Sequence, residues 1–410
     1  MHKPELLAPA GNKEKLQTAL NYGADAVYLG GQQFSLRAQA ANFDSDELAQ
    51  AIKLTHSMGK KLYLTVNIYA HRQDMELLPE YLKQAAELAP DAFIISDLGV
   101  LALARKYAPQ IPLHISTQAN TLNWQAAEVW RSLGARRVIL GRELSLDEIA
   151  ALTANTKLEM EIFVHGALCV AYSGRCLLSA YLTGRDANRG DCVQSCRWEY
   201  SLVEKSRPNE HLPIEEDAHG TYILNSKDLC LLPLLPQIMK SGVSSLKIEG
   251  RNKSAYYVAN AVRIYRQAID AAALGDDFEM RAGWMEELGK IRHRTYTTGF
   301  AAQTPDFEMQ RYESADSVRS YDFVATLEEL LPDCLCFQQR NHIQIGDTIE
   351  ILLPDGRNLN HTVSLLIDAD GQQIAAANKP KQYFYIPTDR QMQGQLAGLP
   401  LPLIVRRRAR

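Results

Sequence analysis

One rhythm constrains this chain more than any other feature: over its first 165 residues, short β-rich runs alternate with helical patterns. ELLAPA (5–10) precedes a predicted helix from Lys13 to Tyr22, AVYLGG (26–31) precedes DELAQAIKLTHSMG (46–59), and KLYLTVNIY (61–69) precedes LLPEYLKQAAELAP (77–90). AFIISD (92–97) is followed by GVLALARKYAP (99–109), PLHISTQAN (112–120) by WQAAEVWRSLGA (124–135), and RVILGREL (137–144) by SLDEIAALTAN (145–155). LEMEIFVHG (158–166) is a seventh strand and SLKIEG (245–250) an eighth. The helices run out in YGAD, MGK, LAPD, YAP and LGAR, where Gly or Pro stops them just before the next strand. Units of this kind join parallel strands through right-handed crossovers. Eight of them predict an α/β fold, a (β/α)8 TIM-like barrel. The rival, an open doubly wound sheet with a dinucleotide site, lacks its glycine fingerprint, since the first turn reads APAGNKEK.

The step from strand seven to strand eight breaks the rhythm. A long insertion at about 167–244 carries five of the seven cysteines. Structured insertions on barrels sit where active sites form, at the C-terminal ends of strands. SAYYVANAVRIYRQAIDAAA (254–273) reads as an amphipathic helix, and a further helix is expected from about Phe278 to Arg292. From Tyr321 onward FVATLEE, CLCFQQR, TIEILLPDG and QYFYIP are short alternating strands between turn dipeptides. The expected organisation is a barrel over 1–315 and a small C-terminal β-barrel domain over 316–410, ending in an arginine-rich tail of Arg406, Arg407, Arg408 and Arg410.

Composition narrows the setting. Hydrophobic residues make up 46% and charged residues 22%, the balance of a globular protein with a full core. No run approaches the roughly 18 apolar residues of a membrane helix, and MHKPELLAPAG lacks a secretory signal, so a cytoplasmic protein without a membrane partner is expected. Forty-four basic and 48 acidic side chains give a net charge of −4, which argues against a general cationic coat for nucleic acid but not against a local patch.

The cysteines fall as C-x6-C-x15-C-x3-C at Cys169, Cys176, Cys192 and Cys196, with Cys230 another 34 positions on. An odd number in a cytoplasmic chain does not suit a disulfide framework. Clustered thiolates bind zinc or an iron–sulfur cluster, and buried thiols are the plainer alternative. Only Cys192 and Cys196 have knuckle spacing, so irregular anchoring of a [4Fe-4S] cluster is favoured while the other two readings stay open. Cys334 and Cys336, at i and i+2 on an alternating strand, read as packing residues.

E-x-F-x2-G-A-L-C-x4-G-x-C-x-L-S, carried by Glu161, Phe163, Gly166, Ala167, Leu168, Cys169, Gly174, Cys176, Leu178 and Ser179, resembles the signature of the collagenase-like peptidase family of unknown catalytic type. The resemblance continues through GRDANRGDCVQSCRWEY (184–200), HGTYILNSKDL (219–229), SLKIEGRNKS (245–254) and HRTYTTGF (293–300). Within the family it is nearest to prephenate-dependent tRNA uridine hydroxylases. It implies an oxidoreductase-type RNA modification, oxygen-independent formation of 5-hydroxyuridine at the wobble position. It also implies a [4Fe-4S] cluster on Cys169, Cys176, Cys192 and Cys196, with Cys230 in reserve for the fourth place. Implied partners are the tRNA anticodon arm, prephenate as co-substrate, and iron–sulfur assembly machinery. Other members act on a ribosomal RNA cytidine or in ubiquinone hydroxylation.

At the expected barrel mouth, Ser116, Gln118 and Asn120 share a face by period two, Arg142 and Glu143 end strand six, His165 ends strand seven, and Lys247, Glu249 and Arg251 end strand eight. His165 can move protons near neutrality, so His165, Arg142, Glu249 and Arg251 are the catalytic candidates. Arg37, Gln118, Asn120, Arg185 and Lys247 are the substrate-binding candidates, because a dicarboxylate such as prephenate calls for cationic forks. The plainer reading of each is a structural hydrogen bond or ion pair, and Glu161 reads as a structural acid inside the barrel. The arginine tail, KIRHR (290–294) and KIEGRNK (247–253) are a candidate phosphate track, with solvated surface charge as the alternative. Tyr172, Trp198 and Phe300 are candidates to stack a splayed base. For a peptidase, no H-E-x-x-H helix or G-x-S-x-G elbow occurs. The near pair Cys169 and His165 would be its nucleophile and base, yet a thiolate committed to a cluster cannot attack.

Overall fold

The computed structural model describes residues 2–36, 42–169, 171–172, 175–198, 202–203, 211–212, 227–275, 278–302 and 319–410. Seven strands come first: β1 (Glu5–Pro9), β2 (Ala26–Gly30), β3 (Lys61–Val66), β4 (Ala92–Ile95), β5 (Leu113–Ile115), β6 (Ala135–Ile139) and β7 (Glu159–Ala167). Between them lie α1 (Lys13–Asn21), α2 (Ser45–Ser57), α3 (Arg72–Glu87), α4 (Leu98–Tyr107), α5 (Trp124–Ser132) and α6 (Leu146–Ala154). Side chains just before the helices start them: Asn12 caps α1, and the Asp44–Glu47 and Ser145–Glu148 capping boxes open α2 and α6.

The insertion holds α7 (Leu178–Thr183), a small hairpin of β8 (Leu202–Val203) and β9 (His211–Leu212), and β10 (Asp228–Cys230). After α8 (Leu235–Lys240), β11 (Ser245–Ile248) pairs in parallel with both β7 and β1. Seven strands and β11 therefore close a parallel eight-stranded barrel, the TIM-like fold expected. Helix α9 (Ala255–Ala273) buries most of its surface on the outside of the barrel, and α10 (Ala282–Gly289) packs on it, shorter than the helix expected there. One pairing escaped the sequence: β10 runs antiparallel to the end of β7 and carries β12 (Tyr296–Thr297) beside it. Strands of two or three residues are too short to show any periodicity.

The C-terminal unit is β13 (Tyr321–Leu330), β14 (Cys334–Gln339), β15 (Ile343–Gln344), β16 (Thr348–Leu352), β17 (Asn358–Thr362), β18 (Leu366–Asp368), β19 (Gln373–Ile374), β20 (Ala376–Ala377), β21 (Tyr383–Pro387), α11 (Arg390–Leu396) and β22 (Leu403–Arg408). Eight of its strands form an antiparallel sheet in the order β17-β16-β22-β13-β14-β21-β18-β19, with β15 and β20 pairing separately. The edge strands β17 and β19 are not paired to one another among the described residues. The expected boundary near residue 315 falls outside the described residues. No helix of the described chain is long and apolar enough to cross a membrane.

The arginine-rich end is not a tail. It is the inner strand β22, and Arg406 is wholly buried where the sheet meets the barrel. Its guanidinium reaches Glu350 at 2.6 Å and Glu287 at 2.8 Å, while Arg263 of α9, also wholly buried, reaches Glu287 at 2.6 Å. Arg407 pairs with Asp347 at 2.6 Å. Tyr22 crosses the same junction, donating to the Leu352 carbonyl and accepting from the Ile404 amide, both at 2.8 Å. Two arginines of the supposed phosphate track thus bind carboxylates of this chain.

Glu287 sits between two buried guanidiniums, so its loss leaves both uncompensated. Glu287→Ala is expected to cost about 3–5 kcal/mol in denaturant unfolding. Burial alone would raise the Glu287 carboxyl, but Arg406, Arg263 and Lys290 outweigh it and hold it down to about 2, against an ordinary 4.5. Its stabilising contribution is therefore complete above that ordinary value and is lost as pH falls from 4.5 toward 2. Urea midpoints followed through this window should fall more steeply for the native chain than for Glu287→Ala; parallel curves would contradict the assignment.

Candidate active site at the barrel mouth

Inward-facing residues fill the barrel in layers. The lower layer is charged: Arg137 of β6, only 3% exposed, reaches Glu5 at 2.6 Å, Glu159 at 2.7 Å and Glu161 at 3.1 Å. Tyr63 donates to Glu5 at 2.7 Å and stacks edge-on against His114. Glu161 is wholly buried and also takes Lys247 of β11 at 2.9 Å, so the expected interior acid is the link between two interior cations. Burial drags the Lys247 ammonium below its ordinary range despite the Glu161 carboxylate beside it.

Above Lys247 the barrel opens into a pocket lined by Tyr28, Thr65, Asn67, Ser116, Gln118, Phe163, Lys247, Glu249 and Arg251. It has about 480 Å3 of empty space, open mouth included. Lys247 lies 4.4 Å above the Tyr28 ring. Arg251 is 4% exposed and forks to the Ser35 hydroxyl at 2.9 Å, the Leu36 carbonyl at 2.8 Å and the Asn42 side chain. It thereby holds the loop between β2 and α2 against the mouth. Gly30 makes room for it, since a Cβ there would lie 2.5 Å from the guanidinium. Gln118 accepts from Ser116 and from Asn67.

The sequence-expected residues divide here. Lys247, Glu249, Arg251, Gln118 and Ser116 meet in the pocket. The reason differs for strand five, because β5 ends at Ile115 and a 3-10 turn over Thr117–Ala119 replaces the period-two face. Asn120 takes a left-handed conformation, φ 56°, after that turn and is not part of the pocket lining. Arg37 lies outside the described residues. Arg185 stays in the insertion, paired with Asp191.

His165 is a correction. The register slips between Lys247 and Ile248, so Lys247 pairs with Phe163 but Ile248 with His165. This bulge turns His165 out of the barrel and under α9. Its ring is 1% exposed, set among Tyr257, Tyr265 and Tyr296, and burial holds it neutral with a pKa near 3. It neither faces the mouth nor can it serve as a base there. Next to it, Gly166 has φ 112°, and a Cβ would lie 2.6 Å from the Glu249 carbonyl oxygen. The signature glycine allows strands seven and eight to meet this closely.

The cysteine insertion leaves β7 and crosses the mouth. Arg189 grips Asp74, at the start of α3, through two bonds of 2.8 and 3.2 Å and bonds the Tyr69 carbonyl at 3.2 Å. The Tyr69 hydroxyl donates to the Gln118 carbonyl at 2.6 Å. Strands β3 and β7 stand four positions apart in an eight-stranded barrel, so this clamp spans the mouth from one side to the other. The hydrogen bond from Arg189 holds the Asp74 carboxyl below its usual range. No local signal marks Arg189 as the partner of Asp74 and Tyr69, because the chain separates it from both by more than a hundred residues.

On the β7 side, Arg142 donates to the Ala167 carbonyl at 2.6 Å, lies 4.8 Å over the Phe163 ring, and places Nη2 3.7 Å from Cys169 Sγ. Cys169 is exposed, while Cys176, Cys192 and Cys196 are half-buried. Cys192 Sγ accepts the Gln194 amide at 3.3 Å, and Asn188 donates to the Cys176 carbonyl at 3.2 Å. Among the described residues no three His, Cys, Asp or Glu side chains converge on a single metal ion. The donor set is thiol only, the chemistry of an iron–sulfur or zinc site. Cys230 sits elsewhere: it is 3% exposed on β10, with its sulfur against the Tyr265 hydroxyl and Met285. Cys336 is likewise buried, on β14. Tyr172 and Trp198 are 49% and 43% exposed on the insertion, whereas Phe300 lines a separate cleft with Glu143.

Burial pushes the Cys230 thiol up to about 11, and that of Cys169 is in the open beside Arg142. Iodoacetamide at neutral pH, applied to metal-stripped native protein and followed by peptide mass mapping, should label Cys169 and spare Cys230. Equal labelling would contradict this placement.

Comparisons with known proteins agree with this architecture. The chain is 41% identical over 394 residues, 95% of its length and 93% of the relative's, to "tRNA hydroxylation protein P1" of Bacillus subtilis. It is 38% identical to "tRNA hydroxylation protein P" of Escherichia coli, covering 96% of this chain and 95% of that one. A 23S rRNA 5-hydroxycytidine synthase of Escherichia coli is 38% identical over 66% of this chain and 40% of its own. Residues 11–311 match the family model described as Peptidase family U32, and residues 319–396 match that of the Peptidase family U32 C-terminal domain. Matched in both its barrel and its sheet domain, the chain belongs to peptidase family U32.

Proposed function

We propose that this protein hydroxylates tRNA, forming 5-hydroxyuridine at the wobble position with prephenate as co-substrate and without dioxygen. The observation that carries the reading is the thiol insertion clamped across a cation-lined barrel mouth, in a chain whose near-full-length relatives are named for tRNA hydroxylation. The TIM-like face used is the one on which such barrels build active sites. The name of the ribosomal RNA relative, a 5-hydroxycytidine synthase, supports a pyrimidine base as target.

Each pocket residue has a task in this reading. Lys247 and Arg251 present positive charge to the carboxylates of prephenate, with Gln118, Ser116 and Asn67 as neutral partners. Glu249, which lines the pocket, is the base of this reading and takes the proton of the pyrimidine C–H; conversion to C–OH also adds one oxygen atom and removes two electrons, with prephenate as the oxygen donor and two-electron acceptor. Arg142 holds the β7 end and Cys169 in place at once. Cys169, Cys176, Cys192 and Cys196 would hold a [4Fe-4S] cluster, with the assembly machinery as the partner that loads it. Such a cluster supplies electron transfer or a Lewis-acidic iron. This reading leaves Cys230 out of the ligand set, supported by its burial between β10 and α9.

The test has two arms. Nucleoside mass spectrometry of tRNA from a deletion strain should lose 5-hydroxyuridine and its derivatives; unchanged levels, with no redundant enzyme present, would defeat the activity. Iron analysis after anaerobic purification should find iron in the native chain and in Cys230→Ala, and little in Cys196→Ala. A colourless protein holding zinc and no iron would defeat the cluster.

A further inference from the structure

The three basic segments singled out in the sequence do not form one continuous track. Lys290 is drawn to Glu287 at 2.7 Å, Arg294 is buried, and Arg406 and Arg407 are committed to carboxylates inside the protein. Other cations of these segments converge, with Arg319, in a cleft between the barrel and the sheet domain. Lys253 follows β11, Arg292 follows α10, and Arg319 precedes β13; all three line about 1060 Å3 of empty space, its open mouth included. Among the described residues of its lining, three cations face one carboxylate, Asp322, and that one is bound to Arg319 at 2.6 Å. In a chain of net charge −4 this is a local positive surface.

The neutral lining suits the same ligand. Asn252 and Ser254 are exposed amide and hydroxyl groups at the rim, and Tyr321 presents an aromatic surface. Lys and Arg with Ser, Asn and Tyr are the residue types that bind nucleic-acid phosphates. The cleft is also tied to the mouth by chain continuity. Arg251 lines the barrel pocket and Asn252, Lys253 and Ser254 line the cleft, so the two are within roughly 10 Å of chain.

We propose that this interdomain cleft is a binding site for the RNA sugar–phosphate backbone, seating the strand beside the base that enters the barrel mouth. The inference rests on the tRNA reading given above. It assigns the sheet domain a share in substrate binding through Arg319. The barrel supplies the other two cations, Lys253 and Arg292.

Salt-dependent binding of an unmodified tRNA transcript to the full chain tests it. Each phosphate contact removed should lower the slope of log K against log salt by roughly 0.7–0.9. Lys253→Ala and Arg292→Ala should each do so and weaken binding several-fold, and the double variant should lose about twice that slope. Arg390→Ala, an exposed arginine at the start of α11 and not part of the cleft lining, should leave the slope unchanged. All substitutions fall outside the core, and thermal melting checks that the variants remain folded. Native binding with an unaltered slope in the double variant would overturn the cleft while leaving the tRNA reading intact. Failure of the native chain to bind any tRNA would overturn both.

Discussion

A chain of paired charges, buried from Arg137 upward, runs up the inside of the barrel and sets the conditions for everything above it. Glu5, Glu159 and Glu161 surround Arg137, and Glu161 hands on to Lys247 at the floor of the mouth. Unpaired, any of these groups would be costly to desolvate; linked, each satisfies the next. The linkage joins β1, β6, β7 and β11, which are the strands that close the barrel. The uppermost cation is thus held at a fixed height under the pocket, with its ammonium over Tyr28. A binding cation anchored in this way needs no rearrangement when an anion arrives.

The mouth gains its second wall from the insertion. Arg142 on one side and the Arg189–Asp74 clamp on the other suspend the four-thiol segment across the barrel. In the proposed reaction, base and co-substrate meet between a cationic floor and a thiol-bearing roof, which also limits water. The sheet domain is locked to the barrel by Arg263, Arg406 and Glu287, so the cleft between them keeps its shape.

Much of this was legible from residues alone, for identifiable reasons. The barrel strands show because they are buried on nearly every residue and recur at the spacing of βα units. Lys247, Glu249 and Arg251 line one pocket because period two continues past the end of β11. His165 fails because one bulged residue reverses the facing of everything after it, and no pattern announces a bulge. Asn120 fails because a 3-10 turn takes over from β5. The terminal arginines look like a solvated tail until Glu287, 119 residues earlier, is seen beside Arg406. Cys230 looks like a spare ligand until Tyr265 and Met285 surround it. In the last two cases the missing information is a tertiary partner, not a local preference.

The central claim is that the barrel mouth is where tRNA is hydroxylated, and the near-isosteric Glu249→Gln addresses it most directly. The variant should replace the native chain in the cell, its melting should be compared with the native protein, and its tRNA nucleosides should be quantified. The account predicts native-like melting with hydroxylated nucleoside reduced about a hundredfold or more, the scale of a lost acid–base group. Undiminished hydroxylation in a folded Glu249→Gln protein would contradict it.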